Sequence, residues 1–466
     1  MQALWIALDN AGFKLNRWDG AGSIASYLFH SRGMLDFKGS EEAQAEHYDK
    51  ARDAYAGGRF ELCRPGDFRE TVYNYDINSA YPYAITQLPP FQDLVHQPDN
   101  DGTNISDYDL VYIDYDNSDS ITKHLMQGIP AFLGDVQTQS KPGPIHPFYN
   151  RSKKHLVCYP PQCKRWCWGI EVNTARSCGY TVNVTDVYHW IDNGERPWSW
   201  VGDLYNHRKE LKAKGDNAER AIKLGINSLY GKMVQQKGWH EGDDIPRTHQ
   251  LYWGGWVTAK TRSMLFEAMC IDPDSVIAVE TDGIYTTTEL PLNVGSELGQ
   301  WDKTVYSDFT YCQSGMYFGT PVGGKAVAKY RGLDKGTLTR EKVIAAYEAY
   351  EKDKSTRLRI KARSTRFRTI GTSLVSPERM EKWRQWTKEN KTITLEPTTG
   401  ESGAGKRMHH HWCKEPYGMG HSHHTVPRPA TDIVSSPYNV LWIDTADKQA
   451  YFLELDEERE GITVGI

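Results

Sequence analysis

Two aspartates at the ends of short apolar runs constrain the fold of this chain more than any other feature. Asp76 follows the run at residues 72–75, and Asp282 follows residues 276–281, of which the first four are apolar, and precedes a glycine. Runs of β-branched and aromatic residues predict strands, and the Asp-Gly pair predicts a hairpin turn. Because neighbouring strands lie ~4.8 Å apart, two such strand ends can bring both carboxylates to one place.

A third segment lies between the two aspartates and carries polar residues at helical spacing. Lys223, Asn227 and Tyr230 are separated by four and three residues, so they share one face of a predicted helix. The preceding predicted helix carries Arg208 and Lys212 at the same spacing. An antiparallel pair of these helices could turn its cations toward one anionic ligand, for which a triphosphate is suitable. The alternative is a solvated helical hairpin with surface charges.

Taken in order, the segments around Asp76, at residues 223–231 and around Asp282 resemble motifs A, B and C of family B DNA polymerases. The resemblance implies an α+β right-hand fold with an antiparallel β palm, helical-hairpin fingers and a mixed thumb. It also implies template-directed addition of deoxynucleotides to a primer 3′-hydroxyl. The chain most resembles the protein-primed branch found in phages and linear plasmids, over roughly residues 50–335.

The resemblance implies a catalytic centre with two Mg²⁺ ions, for which Mn²⁺ may substitute. Asp76 and Asp282 would be the metal ligands, with Ile77 beside them. Magnesium prefers hard oxygen ligands and commonly uses only one or two carboxylates with phosphate oxygens. Motif C of the family reads Asp-Thr-Asp, and this chain has Glu280 at the first position. We expect Glu280 to supply charge near the metals; a direct bond from its longer side chain is the alternative.

The nucleotide site implied by the resemblance combines phosphate-binding cations with residues that hold the base and sugar. One tyrosine would lie under the sugar and exclude a 2′-hydroxyl, which makes the substrate a deoxynucleotide. The alternative is that this tyrosine, Tyr81, is a core residue beside Pro82. The predicted nucleotide-binding residues are Arg208, Lys212, Lys223, Asn227, Tyr81 and Ser79.

The predicted DNA contacts lie in four parts of the sequence. A Tyr-x-Gly-Gly segment upstream of Asp76 resembles the family's template-contacting motif, and a Lys-Tyr-Arg segment lies where the family steadies the primer end. Basic residues that alternate with apolar residues between positions 357 and 363 predict a strand with one phosphate-binding face. The alternative is an edge strand protected by charge. The predicted DNA-binding residues are Tyr55, Gly57, Gly58, Tyr230, Gly231, Lys329, Arg331, Arg357, Arg359, Lys361 and Arg363.

The motif positions and composition shifts divide the chain into six predicted parts. The first part is helical, and the third consists of short strands. The boundaries are 1–60 for the N-terminal helical segment, 61–90 for the first palm part, 91–185 for an insertion, 186–244 for the fingers, 245–334 for the second palm part and 335–466 for the thumb and C-terminal region.

Composition sets weak limits on function. The chain has 466 residues, 25% of them charged, and a net charge of −5, so nucleic acid would have to bind a local basic surface. No apolar run approaches the ~18 residues of a membrane span. The eight cysteines predict reduced thiols, and we expect a cytoplasmic protein, in the host cytoplasm if viral, with no membrane partner. A zinc site at the cysteines of residues 158–178 or the histidines of residues 409–424 stays open.

The expected partners are template and primer DNA, deoxynucleoside triphosphates, and a priming protein or a separate exonuclease. Residues 1–75 contain no Asp-x-Glu pair, so we expect no proofreading exonuclease. Two other functions remain open from the sequence. One is a primer-independent DNA polymerase, which synthesis on an unprimed circular template would distinguish. The other is a catalytically weak DNA-binding subunit, which metal-dependent incorporation would exclude.

Overall fold

A computed structural model of the chain describes most of its first two thirds and parts of the remainder. The described residues are 2–15, 21–35, 41–62, 66–91, 94–98, 100–117, 145–151, 157–159, 162–235, 246–313, 315–353, 359–367, 381, 385–394, 407–409 and 425–427. Arg357 and nearly all of the histidine-rich segment lie outside them.

Helices predominate in the first part of the chain and in the region between the two aspartates. The described helices are α1 (Gln2–Asn10), α2 (Ala21–Ser31), α3 (Glu41–Ala54), α4 (Ala80–Thr86), α5 (Gly169–Ser177), α6 (Trp200–Ala213), α7 (Ala218–Met233), α8 (Leu251–Ile271) and α9 (Arg340–Lys352). A short 3₁₀ turn, Pro273–Ser275, follows α8.

The central sheet is antiparallel and contains both aspartate-bearing segments. Its strands run in the order β14-β13-β12-β3-β11-β10-β1-β18-β17, and β2 pairs with β12 outside this path. The strands are β1 (Arg59–Leu62), β2 (Gly66–Phe68), β3 (Val72–Ile77), β10 (Val276–Thr281), β11 (Gly283–Thr286), β12 (Trp301–Gln313), β13 (Met316–Pro321), β14 (Val327–Tyr330), β17 (Arg407–His409) and β18 (Thr425–Pro427).

Three smaller sheets complete the described strands. One has four strands in the order β4-β9-β5-β8, and two others are the pairs β6-β7 and β15-β16. Their bounds are β4 (Val95–His96), β5 (Leu110–Asp116), β6 (Asn150–Arg151), β7 (Val157–Cys158), β8 (Gln162–Trp168), β9 (Asn183–His189), β15 (Arg359–Phe367) and β16 (Trp386–Thr394).

Alternation along β3 separates a core face of the central sheet from a face that carries polar groups. Tyr75 and Ile77 are buried in a cluster with Leu265 and Met269 of α8. The intervening positions, Asn74 and Asp76, line a cleft on the opposite face. This period-two pattern explains how a short strand can hold the Asp76 carboxylate firmly, because its neighbours on both sides are core residues.

The helical hairpin of α6 and α7 is braced by the N-terminal helices. Gly225 of α7 allows α2 to approach closely, because a Cβ at this position would lie 2.6 Å from Ile24 Cγ2. Gly215, at φ +70°, lies in the turn that joins α6 and α7. At the start of α7, Asp216 Oδ1 accepts a hydrogen bond from the Ala218 amide, whereas Asn217 makes no side-chain cap bond.

The helices and strands predicted around the motifs are present. The structure confirms the two helices predicted to carry Arg208 and Lys223 and the hairpin predicted at Asp282. The domain boundaries remain predictions; β9 extends past the predicted boundary at residue 185 to His189.

Candidate active site

Asp76 lies near the end of β3 between two strands of the central sheet. Its cross-strand partners are Gly283 on β11 and Asp302 on β12. A Cβ at position 283 would lie only 3.2 Å from Asp76 Oδ1. Gly283 therefore leaves room for the Asp76 carboxylate. The sequence had predicted this glycine only as a turn residue.

Asp282 occupies a two-residue turn whose backbone is hydrogen-bonded to β3. Glu280 pairs with Gly283 in the hairpin, so Thr281 and Asp282 form the turn, and Thr281 has a left-handed φ of 56°. Such a conformation is unfavourable for a β-branched residue and persists only where neighbours impose it. The Asp282 carbonyl accepts a 2.8 Å hydrogen bond from the Ile77 amide, which ties this turn directly to β3.

The two aspartates meet in a cleft of about 270 Å³ on the central sheet. Five residues predicted at separate places in the sequence line it together, and five more were not predicted. The predicted lining residues are Asp76, Glu280, Asp282, Lys329 and Arg331. The others are Asn74, Gly283, Tyr285, Gly315 and Tyr317.

The carboxylates of this cleft disfavour each other's ionised forms. Burial raises the pKa of Asp76 to about 7; Asp282, Asp302 and Glu280 add to this shift, whereas Lys329 opposes it. Burial also raises the pKa of Asp282 to about 6, with Glu280 adding to the shift and Arg331 opposing it. A cation placed between buried carboxylates would reverse both effects, because it stabilises their charged forms.

The donor set of the cleft fits a hard divalent cation. Asp76 and Asp282 offer carboxylate oxygens, which Mg²⁺ prefers, and Mg²⁺ takes its remaining ligands from water and phosphate. Among the described residues, no group of three or more His, Cys, Asp or Glu side chains is arranged to hold a metal ion. The buried Cys163 and Cys167 lie in an apolar cluster instead.

The Glu280 carboxylate is held by groups of the neighbouring strands. Its Oε1 accepts hydrogen bonds from the Tyr311 hydroxyl and from the backbone amide of Gly315, and its Oε2 lies 3.5 Å from Arg331 Nη2. The Glu280 side chain is 9% exposed, so these contacts satisfy a charge that water barely reaches. They also connect the β10–β11 hairpin to the turn between β12 and β13 and to the end of β14.

Two further predicted residues adjoin the aspartates along the chain. The Ile77 side chain is buried in the core and its amide is bonded to Asp282, so only its carbonyl remains a candidate metal ligand. Ser79 caps the start of α4 in a left-handed conformation, φ 50° and ψ 57°, and its side chain makes no capping bond.

Three predicted tyrosines form a contact chain beside the cleft. The ring of Tyr81 on α4 lies 4.7 Å from that of Tyr230 on α7, and the Tyr230 hydroxyl is 2.6 Å from that of Tyr55. Burial raises the pKa of Tyr81, and the Asp282 carboxylate adds to the shift. Ionisation of Tyr81 would thus place a negative charge within electrostatic range of the Asp282 carboxylate, although the two residues are on different elements.

A buried arginine on α8 orients the Tyr-x-Gly-Gly segment. Arg262 Nη1 donates to the carbonyl oxygens of Ala56 at 2.7 Å and Gly57 at 2.9 Å. Its Nε and Nη2 donate to Glu171 Oε1 at 3.0 and 2.8 Å, and the two side chains are 1% and 4% exposed. This pair fixes the segment between α3 and β1.

The two glycines of that segment have different surroundings. A Cβ at Gly58 would lie 2.9 Å from Thr281 Cγ2, whereas a Cβ at Gly57 would have no atom within 4 Å. Gly58 therefore lets the chain pack against the turn that carries Asp282, a role that was not predicted. Gly57 borders open space, which suits the predicted approach of a DNA strand.

The polar residues predicted on the helical hairpin are partly exposed and partly paired. Arg208 Nε lies 3.1 Å from Glu219 Oε2 on α7, with the side chains 15% and 18% exposed. Binding of a phosphate by Arg208 would require this ion pair to open. Four other predicted residues of the hairpin are exposed: Lys212, Lys223, Asn227 and Gly231.

The predicted basic strand is present as β15 and has the expected two faces. Arg359, Lys361 and Arg363 are exposed, whereas Ile360 and Ala362 are buried against α9. The structure thus confirms the alternation of this segment for the residues that it describes, and its role in DNA binding stays a prediction.

Several residues near the site occupy positions that depend on long-range pairing, and the sequence alone did not predict them. Asp302 has no motif around it and reaches Asp76 only through the register of β12 with β3. Arg262 and Glu171 are far apart in sequence, and α8 reads as a mostly apolar helix.

Among the described residues, no helix is long and apolar enough to cross a membrane.

Solved structures define the class of fold. Phi29 DNA polymerase in its orthorhombic crystal form matches with a TM-score of 0.55 and 16% identity, over 85% of this chain and 70% of that protein. Phi29 DNA polymerase complexed with primer-template DNA matches with a TM-score of 0.52 and 16% identity, over 85% and 70%. The likeness confirms the predicted right-hand polymerase fold with its mixture of helices and antiparallel sheet.

Sequence comparisons define the family. Residues 6–238, half of the chain, match the family model of DNA polymerase type B, organellar and viral. The chain belongs to this family, as the motif resemblance predicted. The matched segment contains motifs A and B, and the fold brings motif C, which follows it in the sequence, beside motif A.

Two curated relatives agree with this assignment. The DNA polymerase of Acidianus bottle-shaped virus is 24% identical over 302 residues, which are 62% of this chain and 41% of that protein. A probable DNA polymerase of Podospora anserina is 24% identical over 186 residues, 40% of this chain and 13% of that protein. The chain therefore spans less than half the length of either relative.

Proposed function

We propose that this chain is a template-directed DNA polymerase that joins deoxynucleotides to a primer 3′-hydroxyl and releases pyrophosphate. The observation that carries the proposal is the meeting of Asp76 and Asp282 in one cleft, with Glu280 beside them and Lys329 and Arg331 at the rim. Family membership supports the same activity. A solved complex of phi29 DNA polymerase with primer-template DNA and incoming nucleotides, TM-score 0.51, supports the choice of partners.

The chemistry assigned to the cleft requires divalent cations, proposed as two Mg²⁺ ions with Mn²⁺ as a substitute. When bound, they would activate the attacking 3′-oxygen and neutralise the leaving pyrophosphate. Asp76 and Asp282 would hold them with the Ile77 carbonyl, while substrate oxygens complete the ligand set, since the described residues offer no larger cluster. Lys329 and Arg331 would offset the charge of the primer strand next to the carboxylates.

Different surfaces around the cleft would bind the nucleotide and the template. Lys212 and Lys223 on the exposed side of the helical hairpin would attract the triphosphate, with Asn227 supporting the nucleotide. The segment of Tyr55 and Gly57 would contact the template. Each of these assignments rests on position and charge, which suit phosphate binding without sequence preference.

Primer extension tests this proposal directly. The purified chain would be mixed with Mg²⁺, the four deoxynucleotides and a labelled primer annealed to a longer template. Template-dependent lengthening that stops when Mg²⁺ is chelated is expected. Lack of any extension by the folded chain, with either Mg²⁺ or Mn²⁺, would contradict the proposal. A parallel reaction on an unprimed circular template distinguishes a primer-independent start.

Replacing Tyr81 should relax the choice of sugar. The Tyr81 ring lies near Asp282 and against Tyr230, where it can exclude a 2′-hydroxyl by contact. We expect Tyr81→Ala to raise the ratio of kcat/KM for ribonucleotides over deoxynucleotides by about 10-fold or more. Tyr81→Phe keeps the ring and should leave the ratio close to wild type. An unchanged ratio in Tyr81→Ala would make Tyr81 a core residue only.

Shortening Glu280 should be more harmful than neutralising it. Glu280→Asp withdraws the carboxylate from Tyr311, Gly315 and Arg331, and the loss of its hydrogen bonds to the buried Tyr311 hydroxyl and Gly315 amide costs ~1–3 kcal/mol. We expect a roughly 10-fold to 100-fold loss of single-turnover rate. Glu280→Gln keeps the length and one acceptor oxygen, so its loss should be smaller.

A Mg²⁺ titration separates this positioning role from metal binding. If Glu280 acts through its three partners, both variants should reach half of their maximal rate at the wild-type Mg²⁺ concentration. Tyr311→Phe, which removes one of the hydrogen bonds, should weaken activity in the same direction. A Glu280→Asp variant as active as wild type, or one that needs far more Mg²⁺, would contradict this assignment.

A further inference from the structure

The helical hairpin of α6 and α7 carries a carboxylate among the cations proposed to hold the triphosphate. Glu219, Lys223 and Asn227 follow each other at four-residue intervals on α7, so their side chains share one side of the helix. Glu219 is the member of this row that lies nearest the turn of the hairpin. A carboxylate at this place repels a triphosphate unless a cation compensates its charge.

The Glu219 carboxylate is bound to Arg208 across the hairpin. Arg208 Nε donates a hydrogen bond to Glu219 Oε2 at 3.1 Å. The two side chains are 15% and 18% exposed, so salt and water weaken this ion pair less than they weaken a pair at the surface. The guanidinium of Arg208 is thus already occupied by an anion that belongs to the protein.

The other two cations proposed for the triphosphate are not occupied in this way. Lys212 and Lys223 are exposed, and neither forms an ion pair with a residue that the structure describes. These lysines can meet a phosphate without breaking a contact, whereas Arg208 has to leave Glu219 first. Arg208 is also the residue of the three whose planar fork can hold a phosphate through two parallel hydrogen bonds. Opening of its ion pair is therefore a step of its own in nucleotide binding.

A second arginine can replace Arg208 as the partner of Glu219. Arg220 Nε lies 3.9 Å from Glu219 Oε1, the oxygen that Arg208 does not use, and the Arg220 side chain is 77% exposed. When Arg208 turns toward a phosphate, Arg220 can move closer to the carboxylate and compensate its charge. The pair can therefore open without leaving Glu219 as an unpaired charge, which would be far more costly.

We propose that Glu219 competes with the incoming triphosphate for Arg208 and thereby sets the affinity of the chain for nucleotides. This competition rests on the polymerase function proposed above, since the triphosphate is the substrate of that reaction. Nucleotides bind with full affinity only to the fraction of molecules in which the pair is open, and the measured affinity is lowered by that fraction. Arg208 would hold phosphate both before and during the reaction, so the competition acts on KM and leaves kcat unchanged.

Single-turnover incorporation by the intact chain on primer-template DNA tests this competition. Glu219→Gln keeps the shape of the side chain but removes the charge that holds Arg208. We expect it to lower KM for the deoxynucleotide roughly 3-fold to 10-fold and to leave kcat within about 2-fold. Calorimetric binding of a deoxynucleoside triphosphate with a methylene bridge between its α- and β-phosphorus atoms should show a dissociation constant lowered by the same factor.

Two controls separate competition for Arg208 from a change of charge alone. Glu210→Gln removes a carboxylate of α6 that is 66% exposed and lies 3.8 Å from His207, and it should keep KM within about 2-fold of wild type. In an Arg208→Ala background, Glu219→Gln should change KM by less than about 2-fold, because the interaction that it breaks is already absent.

A further variant covers the case in which Glu219→Gln fails to fold. Glu219→Asp keeps a negative charge in the first turn of α7, where it suits the helix, but withdraws the carboxylate from Arg208. It should also lower KM, by about 2-fold or more, although the net charge is that of wild type. An unchanged KM in a folded Glu219 variant, or an equal fall of KM with Arg208 already replaced, overturns the competition.

Failure of the polymerase function gives a different result in the same preparations. If wild type extends no primer, while Glu219→Gln still tightens binding of the methylene-bridged nucleotide, the polymerase function is wrong and the competition for Arg208 stands. If wild type extends primers and Glu219→Gln changes neither KM nor the dissociation constant, the competition is wrong and the polymerase function stands.

Discussion

Asp76→Asn and Asp282→Asn are each expected to lower the rate of nucleotide incorporation by about 10³-fold or more, because each removes a proposed metal ligand. The two carboxylates lie in one cleft, and each has a raised pKa, Asp76 partly because of Asp282. Asparagine keeps the size of the side chain, so the fold should survive. Single-turnover incorporation at saturating Mg²⁺ is the measurement.

The controls for this prediction use stability and a second aspartate. Removing one of two mutually repelling carboxylates should leave the melting temperature of the Mg²⁺-free protein unchanged or higher. Asp308→Asn, on β12 and 3.4 Å from Arg340, alters only a partly exposed ion pair and should keep activity within about 2-fold. If folded Asp76→Asn or Asp282→Asn incorporates nucleotides at a rate within 10-fold of wild type, that residue is not a metal ligand.

Local sequence patterns predicted the elements of the site well. The strand at β3, the alternation in β15 and the helical spacing in α7 depend only on neighbours in the chain, and each is present. The hairpin at Asp282 was also predicted, but the Asp-Gly pair suggested these two residues as the turn. The actual turn is Thr281 and Asp282, because the register pairs Glu280 with Gly283 and because the Ile77 amide donates to the Asp282 carbonyl.

Contacts between distant segments could not be read from the sequence. Glu280 was expected to supply charge or to reach a metal, whereas its carboxylate is held by Tyr311, Gly315 and Arg331. These partners come from strands that meet only in the folded sheet. Asp302 is a similar case, since its position opposite Asp76 follows from the pairing of β12 with β3.

The pairing of Arg208 with Glu219 shows that the partners of charged residues also could not be predicted from the sequence. Helical spacing correctly placed Arg208 and Lys212 on one helix, but it contained no information on the acidic residue across the hairpin. The structure gives Arg208 a partner at 3.1 Å and leaves Lys212 and Lys223 exposed. Only the tertiary structure therefore shows which of the charged residues predicted to face a ligand already have a partner.

Arg262→Leu should produce the largest loss of stability among the single substitutions considered. It removes the partner of Glu171, which is 4% exposed, and leaves the carbonyls of Ala56 and Gly57 without their donor. Breaking a buried ion pair from one side costs ~3–5 kcal/mol, because a buried charge remains uncompensated. The free energy of unfolding from urea titration measures the effect. Arg220→Leu, whose arginine is 77% exposed, is the matched control and should cost ~0–1 kcal/mol.

Two further variants separate charge from geometry at this position. Arg262→Leu combined with Glu171→Leu removes both charges and should recover part of the lost stability. Arg262→Lys keeps the charge but cannot bridge Glu171 and two carbonyls at once, because lysine lacks the planar fork. This variant should fold yet bind template DNA more weakly, since the segment of Tyr55 and Gly57 loses its anchor. If Arg262→Leu unfolds at the wild-type urea concentration, the pair does not hold this segment in place.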